Sequence, residues 1–364
     1  MAVISLARGA PAPECLPVEE LADCAKAALE RDGVTILSYG PGGGYPPLRQ
    51  WVADRHGVDP ARVILTSGSL QGFVFLAEAL VRPGARVLVE APTYDRPLKI
   101  LDRLGARVEA LPMDEEGLDP DGLEQALASG DRPAFLYTIP TFQNPSGRTL
   151  STDRRRRIVE LAREHELTVL EDDPYGLVRF EGEAPPSLFE LEGGERVAYS
   201  SSFSKTVAPG VRIGWFVLPA PLAQELEALA VSTYISPPFV AQAAVHEFIR
   251  RGSFEPNLAR VCGLLRTRRD AMLAALEEHF PGQSWSRPEG GYFVWLDLDE
   301  GIDTTELLAQ ATEAGVTFVA GRDFFPAGSG GASSLRLAFS FASPEEIGAG
   351  VALLAACAAA PVPG

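Results

Sequence analysis

Lys205 stands in the run Ser200-Ser201-Ser202-Phe203-Ser204-Lys205-Thr206-Val207-Ala208-Pro209-Gly210-Val211-Arg212, between one β-like stretch and a second that opens at Ile213. A lysine boxed in by serines and a phenylalanine ahead of a Pro-Gly turn is oddly placed for a solvent charge. Burial or a nearby cation depresses the pKa of such an amine and makes it a carbonyl nucleophile, able to form a Schiff base. The hydroxyls of Ser202 and Ser204 and the guanidinium of Arg212 could hold a phosphate dianion beside it. Taken alone, a lysine in a surface loop explains the stretch equally well.

The elements around it favour the chemical reading. Short apolar, β-branched runs occur at 63–66, 87–90, 108–111, 135–139, 168–171, 197–201 and 213–218, and helical patterns at 70–80, 94–104, 119–128 and 152–165 separate several of them. Buried strands alternating with helices predict an α/β sandwich with a mostly parallel sheet. In open α/β sheets, ligands sit beyond the carboxyl ends of the strands. Five predicted strand ends lead into Ser67-Gly68-Ser69-Leu70, Pro92-Thr93-Tyr94, Gln143-Asn144-Pro145-Ser146-Gly147, Glu171-Asp172-Asp173-Pro174-Tyr175, and Lys205. These supply a phosphate cradle at a helix start, a stacking ring, an amide, a carboxylate with a phenol, and an amine. The set suits a phosphorylated, planar, aldehyde-bearing heterocycle. Each part has a plainer explanation, Ser-Gly-Ser as a helix cap or Asn-Pro-Ser-Gly as a turn; their joint order is what carries weight.

Composition narrows the classes. The chain has 364 residues, 46% of them hydrophobic, and a net charge of −17, enough for a large core and adverse to nucleic-acid binding. The basic run 154–157 reads as a solvated helix face capped by Ser151. Cys15, Cys24, Cys262 and Cys357 are scattered, without metal-ligand spacing, which predicts reduced thiols in the cytoplasm and no metal site. The first residues lack the features of a signal peptide, and the longest apolar run, 347–362, is too short to span a membrane. Ser343-Pro344-Glu345-Glu346 before it is a capping box for a C-terminal helix. The Gly/Pro-rich stretch 39–47 follows no strand, so a dinucleotide loop is a poor reading.

The remaining elements are an arm over 1–17, a helix over 18–31 closed by Gly33, a long helix over 254–280, strands near 292–298, 316–319 and 334–339, and helices at 304–314 and 344–360. The expected division is 1–35 as arm and interface helix, 36–253 as the large domain, and 254–364 as the connecting helix with a small α+β domain.

The Asn-Pro-x-Gly, Asp-x-x-Tyr and Ser-x-x-Lys…Arg signatures together resemble the fold-type I aminotransferases that use pyridoxal phosphate (PLP). The likeness covers nearly the whole chain and is strongest to the 2-aminoadipate aminotransferase subgroup, which also holds the catalytic domains of PLP-binding bacterial regulators. It implies a seven-stranded sheet and a homodimer with shared active sites. It implies that Lys205 bears the cofactor as a Schiff base, that Asp172 pairs with the pyridine nitrogen, and that Asn144 and Tyr175 bond the phenolic oxygen. Ser67, Gly68, Ser69 and Leu70, with Ser202, Ser204, Arg212 and a neighbouring subunit's Tyr39, would hold the phosphate, and Tyr94 would stack on the ring. Arg336 would clamp the substrate α-carboxylate with Asn144, and Gly9 would line the substrate site. The implied reaction moves the α-amino group of an L-amino acid to a 2-oxo acid such as 2-oxoglutarate by ping-pong kinetics. Lys205 would carry the α-proton. The same core would serve β-elimination, decarboxylation or biosynthetic cyclisation. A regulator is disfavoured by the acidic chain and by family-like sequence starting within the first ten or so residues. Arg8 is either a reader of an acidic side chain or a solvent-exposed arginine.

Overall fold

All seven apolar runs between residues 63 and 218 form strands, and all seven join one sheet. In this computed structural model, which describes residues 3–326 and 330–359, they are β1 (Val63–Thr66), β2 (Arg86–Glu90), β3 (Arg107–Leu111), β4 (Phe135–Thr138), β5 (Val169–Asp172), β6 (Val197–Ser202) and β7 (Gly214–Val217). Their order is β1-β7-β6-β5-β4-β2-β3. Strands β2 to β6 run parallel, and β7 is antiparallel to both β1 and β6. Every residue of β1, β2, β4, β6 and β7 is buried, whereas edge strand β3 exposes Arg107 and Ala110. The period of two sorts the side chains: Val63 and Leu65 enter one core and Ile64 the other, as do Leu88 against Val87 and Val89. Helices therefore cover both faces, as the near-continuous apolar strands require.

The helices are α1 (Val18–Leu37), α2 (Pro46–His56), α3 (Ser69–Leu80), α4 (Asp95–Arg103), α5 (Pro120–Ala128), α6 (Thr152–Glu164), α7 (Ala220–Tyr234), α8 (Phe239–Arg250), α9 (Phe254–His279), α10 (Thr304–Ala314) and α11 (Pro344–Ala359), with a short turn of helix at Leu188–Glu192. A second, antiparallel sheet orders β8 (Ser284–Trp285), β9 (Phe293–Asp297), β11 (Ser334–Ala338) and β10 (Val319–Ala320). It shares a core with α9, α10 and α11. The capping box at α11 forms as expected: Glu346 N–H donates to Ser343 Oγ (3.2 Å) and Ser343 N–H to Glu346 Oε2 (2.8 Å).

Several local expectations change. Gly33 does not end α1, which bends at Asp32 (φ −137°, ψ 31°) and continues to Leu37; α8 supplies its reason to persist, because Arg31 pairs with the fully buried Glu247. The run 316–319 is two strands, Val316–Thr317 and β10, with Phe318 turned into the core between them. Ser151 occupies the cap position of α6 without a side-chain bond. Arg155 is not on a solvated face but is 1% exposed. Helices α7 and α8 had no counterpart among the expected elements. The arm is not structureless, since Ile4–Ser5 pairs in parallel with Val316–Thr317. Residue 360 of the expected C-terminal helix, and Met1 and Ala2 of the arm, lie outside the described residues.

Candidate active site

The carboxyl ends of β1, β2, β4, β5 and β6 converge on a cavity of about 390 Å³ that also receives the arm and β11. At its phosphate-sized end, α3 starts at Ser69 from Gly68, which has φ 77° and no side-chain cap. A Cβ on Gly68 would lie 2.1 Å from Arg212 Nη2, and one on Gly214 would lie 2.3 Å from the Ser69 nitrogen. Both glycines are required for Arg212 and β7 to close over the helix start, where free N–H groups favour an anion. Arg212 itself adopts φ 49°, unusual for a non-glycine residue. Its Nη2 donates to the Ser67 carbonyl (3.2 Å) and its Nη1 to Ser204 Oγ (3.4 Å). Ser202 Oγ donates to the Ile213 carbonyl (3.1 Å), tying β6 to the start of β7.

On the cavity floor, Asp172 ends β5. Tyr137 on β4 donates its hydroxyl to Asp172 Oδ2 (2.9 Å), while Oδ1 is buried with no hydrogen-bond partner. Ser200 Oγ stands beside it outside hydrogen-bonding geometry. Burial pushes the Asp172 carboxyl up to about 6, against the pull of the Tyr137 hydroxyl.

Across the cavity, Lys205 Nζ donates to the Gly9 carbonyl (2.9 Å) and lies 4.8 Å from the Tyr292 ring. Burial first, then Arg336 and Arg212, lower its ammonium to about 8. Arg336 on β11 is 8% exposed and sandwiched by Phe293 (4.2 Å) and Phe324 (5.0 Å). Its Nη1 donates to Asn144 Oδ1 (2.8 Å) and its Nη2 to the Ala7 carbonyl (2.9 Å), and its Nε has no partner. Gly9 is pressed against Phe293, where a Cβ would meet the ring at 2.6 Å. Arg8 turns away onto Phe341 (4.1 Å) and does not line the cavity.

The loop presenting Asn144 is braced by residues that the sequence did not single out. Gln143 Nε2 donates to the Pro92 carbonyl (2.7 Å) and to Glu90 Oε2 (3.2 Å), and its Oε1 accepts from Ser146 N–H (2.8 Å). Arg155 Nη2 donates to the Pro140 carbonyl (2.7 Å) and Thr141 Oγ1 (2.8 Å). The signal for Glu90 was a carboxylate at the end of an otherwise apolar strand run, and for Tyr137 a hydroxyl within one; neither points to its partner, and nothing local marked Arg155.

The structure thus gathers Gly68, Ser69, Leu70, Tyr94, Asn144, Asp172, Tyr175, Ser202, Ser204, Lys205, Arg212, Arg336 and Gly9 around one cavity. Ser67 contributes only its carbonyl to Arg212, and Tyr39 is 83% exposed, away from its own chain's cavity. A larger opening of about 540 Å³ beside Arg148 and Trp285 includes none of Lys205, Asp172 and Arg336. Among the described residues there is no cluster of His, Cys, Asp or Glu able to hold a metal and no helix long and apolar enough to cross a membrane. An unpartnered carboxylate oxygen on the floor, an anion cradle at one end and an amine with depressed pKa opposite fit pyridoxal phosphate, which asks for a ring N–H acceptor, a phosphate seat and a lysine.

Comparison with known proteins agrees. The family model for aminotransferase class I and II matches residues 3–353. The chain is similar to the aromatic-amino-acid aminotransferase 1 of Thermococcus litoralis, 38% identical over 97% of this chain and 87% of that one. It is also 38% identical to the 2-aminoadipate transaminase of Thermus thermophilus, over 96% of this chain and 88% of that one. The solved alpha-aminoadipate aminotransferase of Thermus thermophilus, complexed with N-(5'-phosphopyridoxyl)-L-leucine, matches with a TM-score of 0.93 at 38% identity, covering 98% of this chain and 92% of that one.

Proposed function

The chain belongs to the class I and II aminotransferases, PLP-dependent transaminases of fold type I, and from that premise we propose that it passes the α-amino group of an L-amino acid to a 2-oxo acid, 2-oxoglutarate among them, in two half-reactions at Lys205. When bound, the cofactor supplies a carbonyl carbon for amine capture and a protonated ring that accepts the electron pair released at the substrate α-carbon. Asp172 Oδ1 would hold the ring nitrogen, Tyr94 the ring face, and Asn144 and Tyr175 the phenolic oxygen. The α3 amino-terminus, Ser202, Ser204 and Arg212 would hold the phosphate.

Arg336 orients the substrate by its α-carboxylate, which replaces the Ala7 carbonyl as partner of the guanidinium fork. Asn144, already bonded to Arg336, fixes the same carboxylate. Lys205 in its neutral form would take the proton from the substrate α-carbon and return it to the carbon on the far side of the amino nitrogen, the one that captured the amine, a transfer that needs a base poised near working pH. Phe293 and Phe324 keep water from the Arg336 face. Tyr39, exposed on its own chain, would complete the phosphate seat of a second copy, which makes the working unit a dimer. We read the enzyme as cytoplasmic, a reading supported by four cysteines that form no disulfide.

The carrying observation is that the depressed Lys205 amine and the Asp172 carboxylate, with its unpartnered oxygen, line one cavity. The test is an anaerobic absorbance titration of the yellow holoenzyme with L-amino acids, beginning with the aromatic acids and 2-aminoadipate that the relatives' names suggest. Bleaching by the donor and recovery on adding 2-oxoglutarate is the expected result. Recovery without an oxo acid, with ammonia or carbon dioxide released, would make the enzyme a lyase, decarboxylase or cyclase instead.

A further inference from the structure

Asp172 is the only carboxylate among the described residues that both lines the cavity floor and keeps an unpartnered oxygen there, and its second oxygen has one geometric donor, Tyr137. Tyr137 is fully buried and does not line the cavity, so it cannot touch the cofactor or the substrate. Its ring is fixed by an edge contact with Phe73 of α3 (5.3 Å) and by its place in the middle of β4, one strand from Asp172. Nothing in core packing calls for a hydroxyl at that point, since Phe135, two residues earlier on the same face, packs on the same Phe73. The hydroxyl has one partner, and that partner is Asp172.

We propose that Tyr137 is a positioning residue of the transamination site, holding Asp172 Oδ2 so that Oδ1 alone, ionised and correctly aimed, faces the cofactor ring nitrogen. The proposal rests on the assignment of Asp172 to the ring nitrogen. A phenol suits that role, because it donates one hydrogen bond to a carboxylate and, being buried beside negative groups, stays neutral itself. Without it, Oδ2 would be a buried, unpartnered charge, and the carboxylate would relax by taking up a proton or by turning away from the ring. Either response removes the counter-charge that keeps the ring nitrogen protonated. The other hydroxyl nearby, on Ser200, approaches from β6, the opposite neighbour strand, and is buried without a hydrogen-bond partner.

The test is a double-mutant cycle on cofactor affinity, read as the dissociation constant of pyridoxal phosphate by fluorescence titration, with kcat and KM measured in parallel. Tyr137→Phe should weaken cofactor binding about ten- to a hundred-fold, the worth of a hydrogen bond to a charged group. It should lower kcat while leaving KM for the amino donor within about two-fold, because Arg336 is untouched. In an Asp172→Asn background the same change should alter affinity less than about three-fold, since its partner charge is gone. Equal losses in both backgrounds, or a fall in melting temperature with cofactor affinity intact, would make Tyr137 a packing residue and overturn the proposal. Wild-type affinity in Tyr137→Phe beside an impaired Asp172→Asn would also overturn it. An unimpaired Asp172→Asn would instead remove the ring-nitrogen assignment, and the proposal with it.

Discussion

Burial and two guanidinia hold the Lys205 ammonium to about 8, so below that pH most of the amine is protonated and inert as a nucleophile. Cofactor uptake by the apoprotein should therefore rise roughly tenfold per pH unit below about 8 and level off above it. At the acid end, uptake should fall further as Asp172 protonates below about 6. Stopped-flow absorbance across pH 5.5 to 9.5 checks both limbs, taking these bounds as about 1.5 to 2.5 units either side of the Lys205 value. A flat profile would mean that Lys205 is not the capturing amine. At this scale the sequence was informative where chemistry sits at strand ends. Lys205, Asp172 and Asn144 each follow an apolar run that could be recognised locally, Arg212 immediately precedes one, and the cavity gathers them. Tyr137, Glu90, Gln143 and Arg155 were not legible, because what distinguishes them is a partner 35 to 53 residues away, or a burial that only the neighbouring loops create. The basic run around Arg155 misled for the same reason: three of its four guanidinia do reach acidic surface groups, and one turns inward to hold the Asn144 loop.

Among the elements, the contact between the start of α3 and β7 is the tightest near the site, because Gly214 has backbone, not a flexible side chain, where a Cβ would go. Gly214→Ala should push the α3 amino-terminus out of place. We expect a stability loss of about 1–3 kcal/mol and a weaker phosphate seat, seen as a raised dissociation constant for pyridoxal phosphate relative to pyridoxal. Equal weakening toward the two ligands would place the disturbance elsewhere. Strand and helix positions were readable to within a residue or two because the main sheet is covered on both faces and its strands are continuous apolar runs. The failures lie where tertiary contacts override local signals. Gly33 reads as a stop, yet α1 carries on over α8, where the Glu247 carboxyl, held well below its usual range first by Arg250, then by Arg31 and Arg251, ties the two together. Helices α7 and α8 lie in a stretch whose apolar residues serve both a core and an exposed face, which blurs the period that would announce them.

Across the described residues, five of the nine exposed large apolar side chains fall in two places: Val34, Leu37 and Tyr39 at and just beyond the end of α1, and Val231 and Ile235 on and just beyond α7. Gly42 links the two groups, since a Cβ there would touch Val231 at 2.4 Å. Such a patch suits association with a second copy. If Tyr39 serves the neighbour's site, mixing Lys205→Ala chains with Tyr39→Ala chains should restore activity, because each hybrid dimer then holds one site with both residues native. Hybrids no more active than their parents would show that Tyr39 works within its own chain or not at all. A dimer is not legible in a single chain's periodicity; the proposal of one rests on the placement of Tyr39 outside its own cavity and on the exposed apolar patch beside it.

The antiparallel strand β7 has one more consequence, which concerns the order in which the molecule is made. Among the described residues, strand β1 pairs only with β7, so from the moment residues 63–66 leave the ribosome that strand partner is missing until residue 217 follows. The parallel strands β2 to β6 can begin to assemble in that interval, but the anion cradle cannot, because Ser69 follows β1 and Arg212 precedes β7. The last strand in chain order thus joins β1 to the parallel strands and brings Arg212 to the cofactor's seat, through a contact between residues about 150 positions apart, of the kind that slows folding. Until residues 212–217 have been made, the nascent chain therefore lacks the Arg212 and β7 side of the anion cradle, so the cofactor's phosphate seat needs chain from both ends of the large sheet.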